Sequence, residues 1–329
     1  MRIDAPAAAP PARLPIVDAA RGTALLAMFT YHFAWDLDYY QLISTDIGAS
    51  RPWGILARLT AGSFLALVGV SLVLARRGGF RVRPFLRRLA VVGGAAALVT
   101  LVTWQLMPED FIYFGILHCI AVSSVLALPF LRWPVWIAAA AAAFCFAAPS
   151  LFAGPAFDAP WLRWLGLMTY FPRTNDYVPL LPWFGAVLVG IAATRAALPF
   201  AGATAWARWR PAGAASRALV WGGRHSLGIY LLHQPVFLGA LFVVAWLAGP
   251  YTPAWSASFM RGCAPSCREA GTSSAACEAS CGCVLSGLRS DGAGRDALRR
   301  SMLGFELAET ERQHLLALSR QCRRETPEP

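Results

Sequence analysis

The stretch RGTALLAMFTYHFAWDLDYY, Arg21–Tyr40, decides how this chain is read: it opens as a membrane helix and then places His32, Asp36 and Asp38 in the same run. Eleven steps of about 100° bring Arg21 and His32 within about 20° of one face, and a rise of about 1.5 Å per residue separates them by about 16 Å along the axis. With Arg21 at one interface, His32 sits near mid-membrane. Asp36 follows one turn later on that face, within hydrogen-bond reach of an i−4 imidazole. Asp18, Arg21, His32 and Asp36 thus form a polar stripe. Ionisable groups in a span are costly, so they usually face the bundle interior or a wet cavity. Interhelical hydrogen bonding is the plain alternative for a mid-span histidine.

The rest of the chain supports a bilayer setting. Hydrophobic residues make up 57% and charged residues 14%, with a mean hydropathy of +0.49, which excludes an ordinary soluble domain. A hydrocarbon core of ~30 Å needs about 20 apolar residues per helix. About seven such windows occur, near residues 22–43, 54–75, 88–107, 111–131, 134–153, 178–198 and 225–248. The leader, residues 1–12, is rich in alanine and proline and lacks an apolar signal region, so the first span is expected to direct its own insertion.

The net charge of +11 raises nucleic acid as a partner, but all 29 basic residues are arginines distributed with the spans. Arg76, Arg77, Arg81, Arg83, Arg87 and Arg88 follow the second span, Arg132 the fourth, and Arg195, Arg208, Arg210, Arg217 and Arg224 the sixth. The positive-inside rule makes these loops cytoplasmic, places the N-terminus inside, and sends the chain out of the membrane after its seventh span. The expected partner is the bilayer, with no nucleic acid.

Residues 251–329 are polar and hold Cys263, Cys267, Cys277, Cys281, Cys283 and Cys322. Cys263/Cys267 and Cys277/Cys281 are i, i+4 pairs, each on one face of a helix, so two short helices can be clipped side by side. On the oxidising side of a membrane this reads as a disulfide framework. Zinc is the rival, but the spacing is CxxxC and the nearest histidine is His314, so no metal is expected. Six cysteines leave 15 pairings open. Residues 301–322 carry leucines at helical spacing and read as an amphipathic helix. Cys119 and Cys145 read as core residues.

Other polar groups join the candidate site. His118 lies in YFGILHCIA, and His225 and His233 flank GRHSLGIYLLHQP, where Pro235 is expected to kink the helix. His225 suits a helix cap; His118 and His233 suit a site or an interhelical bond. Asn175, Asp176 and Tyr177 precede the sixth span at its outer mouth, where a carboxylate, an amide and an aromatic suit sugar binding and also suit a plain polar loop.

RLPIVDAARGTALLAMFTYH, LTAGSFLALVGVSL, FIYFGILHCIA, TNDYVPLLPWFG and GRHSLGIYLLHQP, in that order, resemble the bacterial branch of the heparan-α-glucosaminide N-acetyltransferase catalytic-domain family. The resemblance covers about residues 13–248 and extends to the wider transmembrane acyltransferase superfamily that includes acyltransferase family 3. It implies a polytopic enzyme that takes an acyl group from cytoplasmic acetyl-CoA or another acyl-CoA and delivers it to an extracytoplasmic glycan or glycolipid. His32 would then be catalytic base or acyl carrier, with Asp36 fixing its tautomer as a triad acid does. Arg21, Arg76 and Arg77 would hold the cofactor phosphates. His118, Asn175, Asp176, Tyr177 and His233 would face the acceptor. The cysteine-rich tail lies outside the family pattern.

The expectation is therefore an all-α polytopic membrane protein, a bundle of about seven transmembrane helices over residues 13–250 plus a small disulfide-rich helical C-terminal domain over 251–329. The expected location is the bacterial inner membrane with the tail in the periplasm. Two alternatives stay open: a proton-linked carrier using His32, Asp36 and His233 as a relay, although no inverted repeat is visible, and a non-catalytic partner whose tail recruits an extracytoplasmic protein.

Overall fold

The computed structural model describes residues 14–77, 79–203, 208–248, 253–269, 271–290, 292–294, 297, 300 and 306–325. The leader, residues 1–12, lies outside them. All regular structure among the described residues is helical: α1 Pro15–Tyr39, α2 Arg51–Ala75, α3 Val82–Leu106, α4 Ile116–Leu126, α5 Val135–Phe152, α6 Leu180–Ala197, α7 Ala214–Arg224 and α8 Ser226–Ala248. The tail adds α9 Pro253–Glu269, α10 Ser274–Ser290 and α11 Glu309–Glu325.

Five of the described helices are long and apolar enough to cross a membrane: Arg51–Ala75, Val82–Leu106, Val135–Phe152, Leu180–Phe200 and Ser226–Leu247. These match five of the seven expected windows. The first window begins earlier than expected, at Pro15, whose fixed φ suits a helix start, with Asp18 in the first turn facing the positive end of the helix dipole. It ends at Tyr39 because the chain turns through Gln41 at φ 55° and the Asp38 carboxylate accepts the Ile47 N–H at 2.9 Å. At 25 residues α1 is about 37 Å long, the length of a span, but it carries the polar stripe.

The fourth window is corrected. Only 11 residues, Ile116–Leu126, are helical there, about 16 Å against a core of ~30 Å. The segment before α4 satisfies its backbone sideways. Asn175 and Val178 donate their N–H groups to the Asp110 and Phe114 carbonyls at 3.0 and 3.2 Å, and Thr100 Oγ1 donates to the Ile112 carbonyl at 2.6 Å. These partners replace helical bonds, and Pro129 begins a 3-10 turn soon after the helix ends.

The chain divides into two compact units, one built from the chain up to Met28 with Leu56–Leu231, the other from Phe29–Ile55 with Leu232 onward. The core of the first contains Leu65, Val68 and Leu72 of α2, Ala138, Ala142 and Cys145 of α5, and Val187, Leu188 and Ile191 of α6. Cys119 and Cys145 are buried free thiols, as expected. Small residues let α2 and α6 close up: a Cβ on Gly69 would strike the Val187 carbonyl, and one on Gly190 the Ala66 carbonyl.

In the second unit the tail packs on chain ends. Tyr40 of the loop after α1 and Leu241 and Ala245 of α8 share a core with Val284, Leu285 and Leu288 of α10 and with Cys322. The Tyr40 hydroxyl donates to the Leu238 carbonyl at 3.1 Å. Arg261 of α9 donates to the Ser44 carbonyl at 2.8 Å. The expected clip forms: Cys263–Cys281 and Cys267–Cys277 join α9 to α10, and Cys283–Cys322 joins α10 to α11. Within the expected amphipathic segment 301–322, residues 301–305 lie outside the described ones, and α11 covers the remainder from Glu309.

Candidate functional site: an arginine-lined cavity and a histidine pair

The first unit encloses a cavity of about 1240 Å³. Asp18 and Arg21 of α1, Arg77 after α2, Arg83, Arg87 and Arg88 of α3, and Arg224 at the end of α7 line it, with Leu117, Ile120 and Tyr230 on its apolar walls. Asp18 is buried and clamps two of the arginines: its Oδ1 lies 2.9 Å from Arg21 Nη1 and its Oδ2 3.3 Å from Arg224 Nε. Arg21 also donates from Nη2 to Ser71 Oγ at 2.5 Å. Among the described residues Arg77, Arg83, Arg87 and Arg88 form no ion pair. Six guanidiniums thus share one carboxylate, a surplus that suits a polyanion carrying phosphates.

Of the three expected cofactor residues, Arg21 and Arg77 line this cavity and Arg76 does not. Arg76 turns its guanidinium onto the Leu131 carbonyl, which removes it from the cavity. The arginine-rich loops are also expected to offer forks to the cofactor phosphates, and of the loop after α2 Arg83, Arg87 and Arg88 line the cavity with Arg77; Arg83 and Arg87 are i, i+4 and so share a face. The pairing of Arg224 was out of reach of sequence reasoning, since it meets Asp18 across 206 residues.

In the second unit α1 brings His32 to His233 of α8, with ring centroids 5.0 Å apart at 64°. Phe29 stacks on His233 at 5.6 Å and Phe237 meets it edge-on at 6.0 Å. The His32 imidazole touches Tyr31 and His233 and makes no hydrogen bond to the described protein groups, so both nitrogens are available to a substrate. Asp36 is fully buried at 0% exposure. Its Oδ1 accepts from Gln234 Nε2 at 2.9 Å, so the carboxylate anchors α8 beside His233 instead of orienting His32 as expected. Gln234 is a site residue that sequence reasoning missed, although it adjoins His233. α8 remains one helix through Pro235.

The remaining expected site residues lie in the first unit, and most are committed to scaffolding. His118 Nδ1 accepts the Gly115 N–H at 3.2 Å. Its Nε2 lies 3.2 Å from Thr100 Oγ1, whose single proton already goes to the Ile112 carbonyl, so Nε2–H is the donor. Both ring nitrogens are used. Asp176 Oδ2 accepts the Ile116 N–H at 2.9 Å and the Tyr230 hydroxyl also bonds this carboxylate; burial nonetheless raises its pKa above the usual carboxylate range. The Tyr177 hydroxyl donates to the Arg163 carbonyl at 2.7 Å. Asn175 alone of the triplet is exposed, with its amide 3.1 Å from Met107 Sδ. His225 caps α7, as expected.

These features define a polytopic helical membrane protein with an arginine-lined cavity in one unit and a histidine pair in the other. The sequence profile described as "Heparan-alpha-glucosaminide N-acetyltransferase, catalytic" matches residues 13–235, and the chain belongs to that family. The match ends before the tail helices. The chain is also 35% identical over 119 residues to the "Fluoride-specific ion channel FluC" of Hahella chejuensis (strain KCTC 2396), covering 34% of this chain and 85% of that protein. No solved structure matches.

Proposed function

We propose that this protein is an integral membrane acyltransferase that takes an acetyl or similar group from cytoplasmic acyl-CoA and transfers it to an extracytoplasmic sugar or glycolipid. The observation that carries the reading is the surplus of six guanidiniums over one carboxylate in the large cavity of a chain belonging to this family. Coenzyme A bears several phosphates, and planar guanidiniums grip phosphate oxygens in pairs. Arg83, Arg87 and Arg88 bind the phosphates, while Asp18 holds Arg21 and Arg224 in fixed orientations.

His32 supplies the proton chemistry. An acceptor hydroxyl or amine attacks the thioester carbonyl as the imidazole takes its proton; the carbon–sulfur bond breaks, and the imidazolium returns the proton to the departing thiolate. His233 packs against His32, and Asp36 with Gln234 fixes the α1–α8 register. The tail disulfides support an oxidising, periplasmic side for the C-terminus, with the N-terminus and the arginine-rich loops in the cytoplasm and the spans in the bacterial inner membrane.

The test is release of free coenzyme A from acetyl-CoA by the full chain in vesicles supplied with cell-envelope extract. His32→Gln is expected to lower the rate by about 10²–10⁴-fold, the usual worth of a general base, with an unchanged melting temperature. Equal rates would remove His32 from the chemistry. The similarity to the fluoride channel favours a second, conducting reading. It predicts fluoride flux into the same vesicles without coenzyme A release.

A further inference from the structure

A second pocket, about 310 Å³, lies in the first unit between Val73, Arg76, Arg77, Leu131, Arg195 and Leu198. We propose that it binds the phosphate of an anionic phospholipid. Three arginines line it with no carboxylate in the lining, and among the described residues none of the three forms an ion pair. Like charges gathered around one pocket disfavour one another, and an anion between them relieves this.

The arginines are held in place by main-chain groups. Arg76 donates to the Leu131 carbonyl, and Arg195 donates from Nη1 to the carbonyls of Phe130, at 2.8 Å, and Trp133. Each guanidinium has five N–H donors in a fixed fork, so donors remain for phosphate oxygens after these bonds are made.

The position indicates where the phosphate comes from. Arg76 and Arg77 directly follow the last residue of α2, and Arg195 lies in the last turn of α6. Both helices are long and apolar enough to be spans, so the pocket lies at the membrane surface, the depth of a phospholipid phosphate. Val73 and Leu198 supply the apolar side, and Trp133, exposed on a flanking turn, is a residue type of the membrane interface. Basic pockets between span ends on the arginine-rich side of a membrane are suited to anionic headgroups. The inference is independent of the acyltransferase reading.

The full chain is placed in nanodiscs of equal phosphatidylglycerol and phosphatidylcholine and examined by native mass spectrometry. Wild type is expected to retain phosphatidylglycerol at least tenfold over phosphatidylcholine. Arg76→Gln should abolish the preference, whereas Arg132→Gln, the same charge change on an exposed arginine outside the pocket, should leave it. If Arg76→Gln lowers the melting temperature, Arg195→Gln repeats the measurement. Equal retention of both lipids by wild type, or an unchanged preference in the pocket variants, overturns the proposal. Stripping of the lipid by millimolar inorganic phosphate reassigns the pocket to a free anion, and stripping by coenzyme A alone makes it part of the large cavity; either result overturns the lipid assignment.

Discussion

At the scale of single residues, histidines in the spans and carboxylates in or beside them divide by what their polar atoms already do. His118 spends both nitrogens on Gly115 and Thr100, whereas His32 spends neither on the described protein groups and so keeps a lone pair for a substrate. Asp176 belongs with His118. Replacing it by alanine leaves the Ile116 N–H and the Tyr230 hydroxyl without an acceptor, at about 1–3 kcal/mol for each buried donor. Asp176→Asn keeps an acceptor oxygen, and thermal unfolding in detergent is expected to place it near wild type and well above Asp176→Ala. The sign of the pH effect follows from its raised pKa. As pH rises past the ordinary carboxylate value, the unfolded chain loses this proton first, so the folded state binds more protons and stability falls until the raised pKa is passed. Asp176→Asn should remove that decline; an unchanged pH profile would mean that Asp176 is not its source.

At the scale of elements, the packing of α2 on α6 relies on the absence of side chains. Gly69 and Gly190 sit where any Cβ meets the other helix's backbone, and a carbonyl cannot swing aside as a side-chain end can. Overpacking a tight contact costs about 1–3 kcal/mol, occasionally more. Gly190→Ala is expected at the upper end of that range or beyond it. Gly93→Ala in α3, where a Cβ meets open space, should be neutral or slightly stabilising through helix propensity. Melting curves of the two variants side by side check this, and equal midpoints would mean that the α2–α6 contact adapts. The same close contact within the first unit explains why α6 supplies core residues along much of its length.

At the scale of the whole molecule, three disulfides give the tail helices a stability that their short apolar faces do not. In the loop-entropy picture the cross-links at sequence separations of 10 and 18 are each worth about 3 kcal/mol, and that at 39 about 4 kcal/mol. The double substitution Cys283→Ser with Cys322→Ser is therefore expected to release α11 first, seen as new limited-proteolysis cuts between residues 306 and 325 while the spans stay intact. Cleavage no faster than in wild type would show that packing of Leu315 and Leu318 suffices to hold the helix.

The bilayer setting, five of the spans, the helical clip of the tail, the α1 polar stripe and the candidacy of His32 follow from sequence, because hydropathy, i, i+4 spacing and the 100° helix step are local properties. The truncation of α4 does not, since its flanking backbone is satisfied by residues some sixty positions away, such as Asn175 and Val178. Nor does the fate of Asp36, which i+4 spacing aimed at His32 and which Gln234 claims from α8, 198 residues later. The cavity is likewise tertiary: Arg83, Arg87, Arg88 and Arg224 become one charged surface only when α3 and α7 meet α1. Local chemistry set which groups were costly to leave in lipid; tertiary structure decided which of them found partners, because a hydrogen bond or ion pair depends on distance in space, which separation along the chain does not supply.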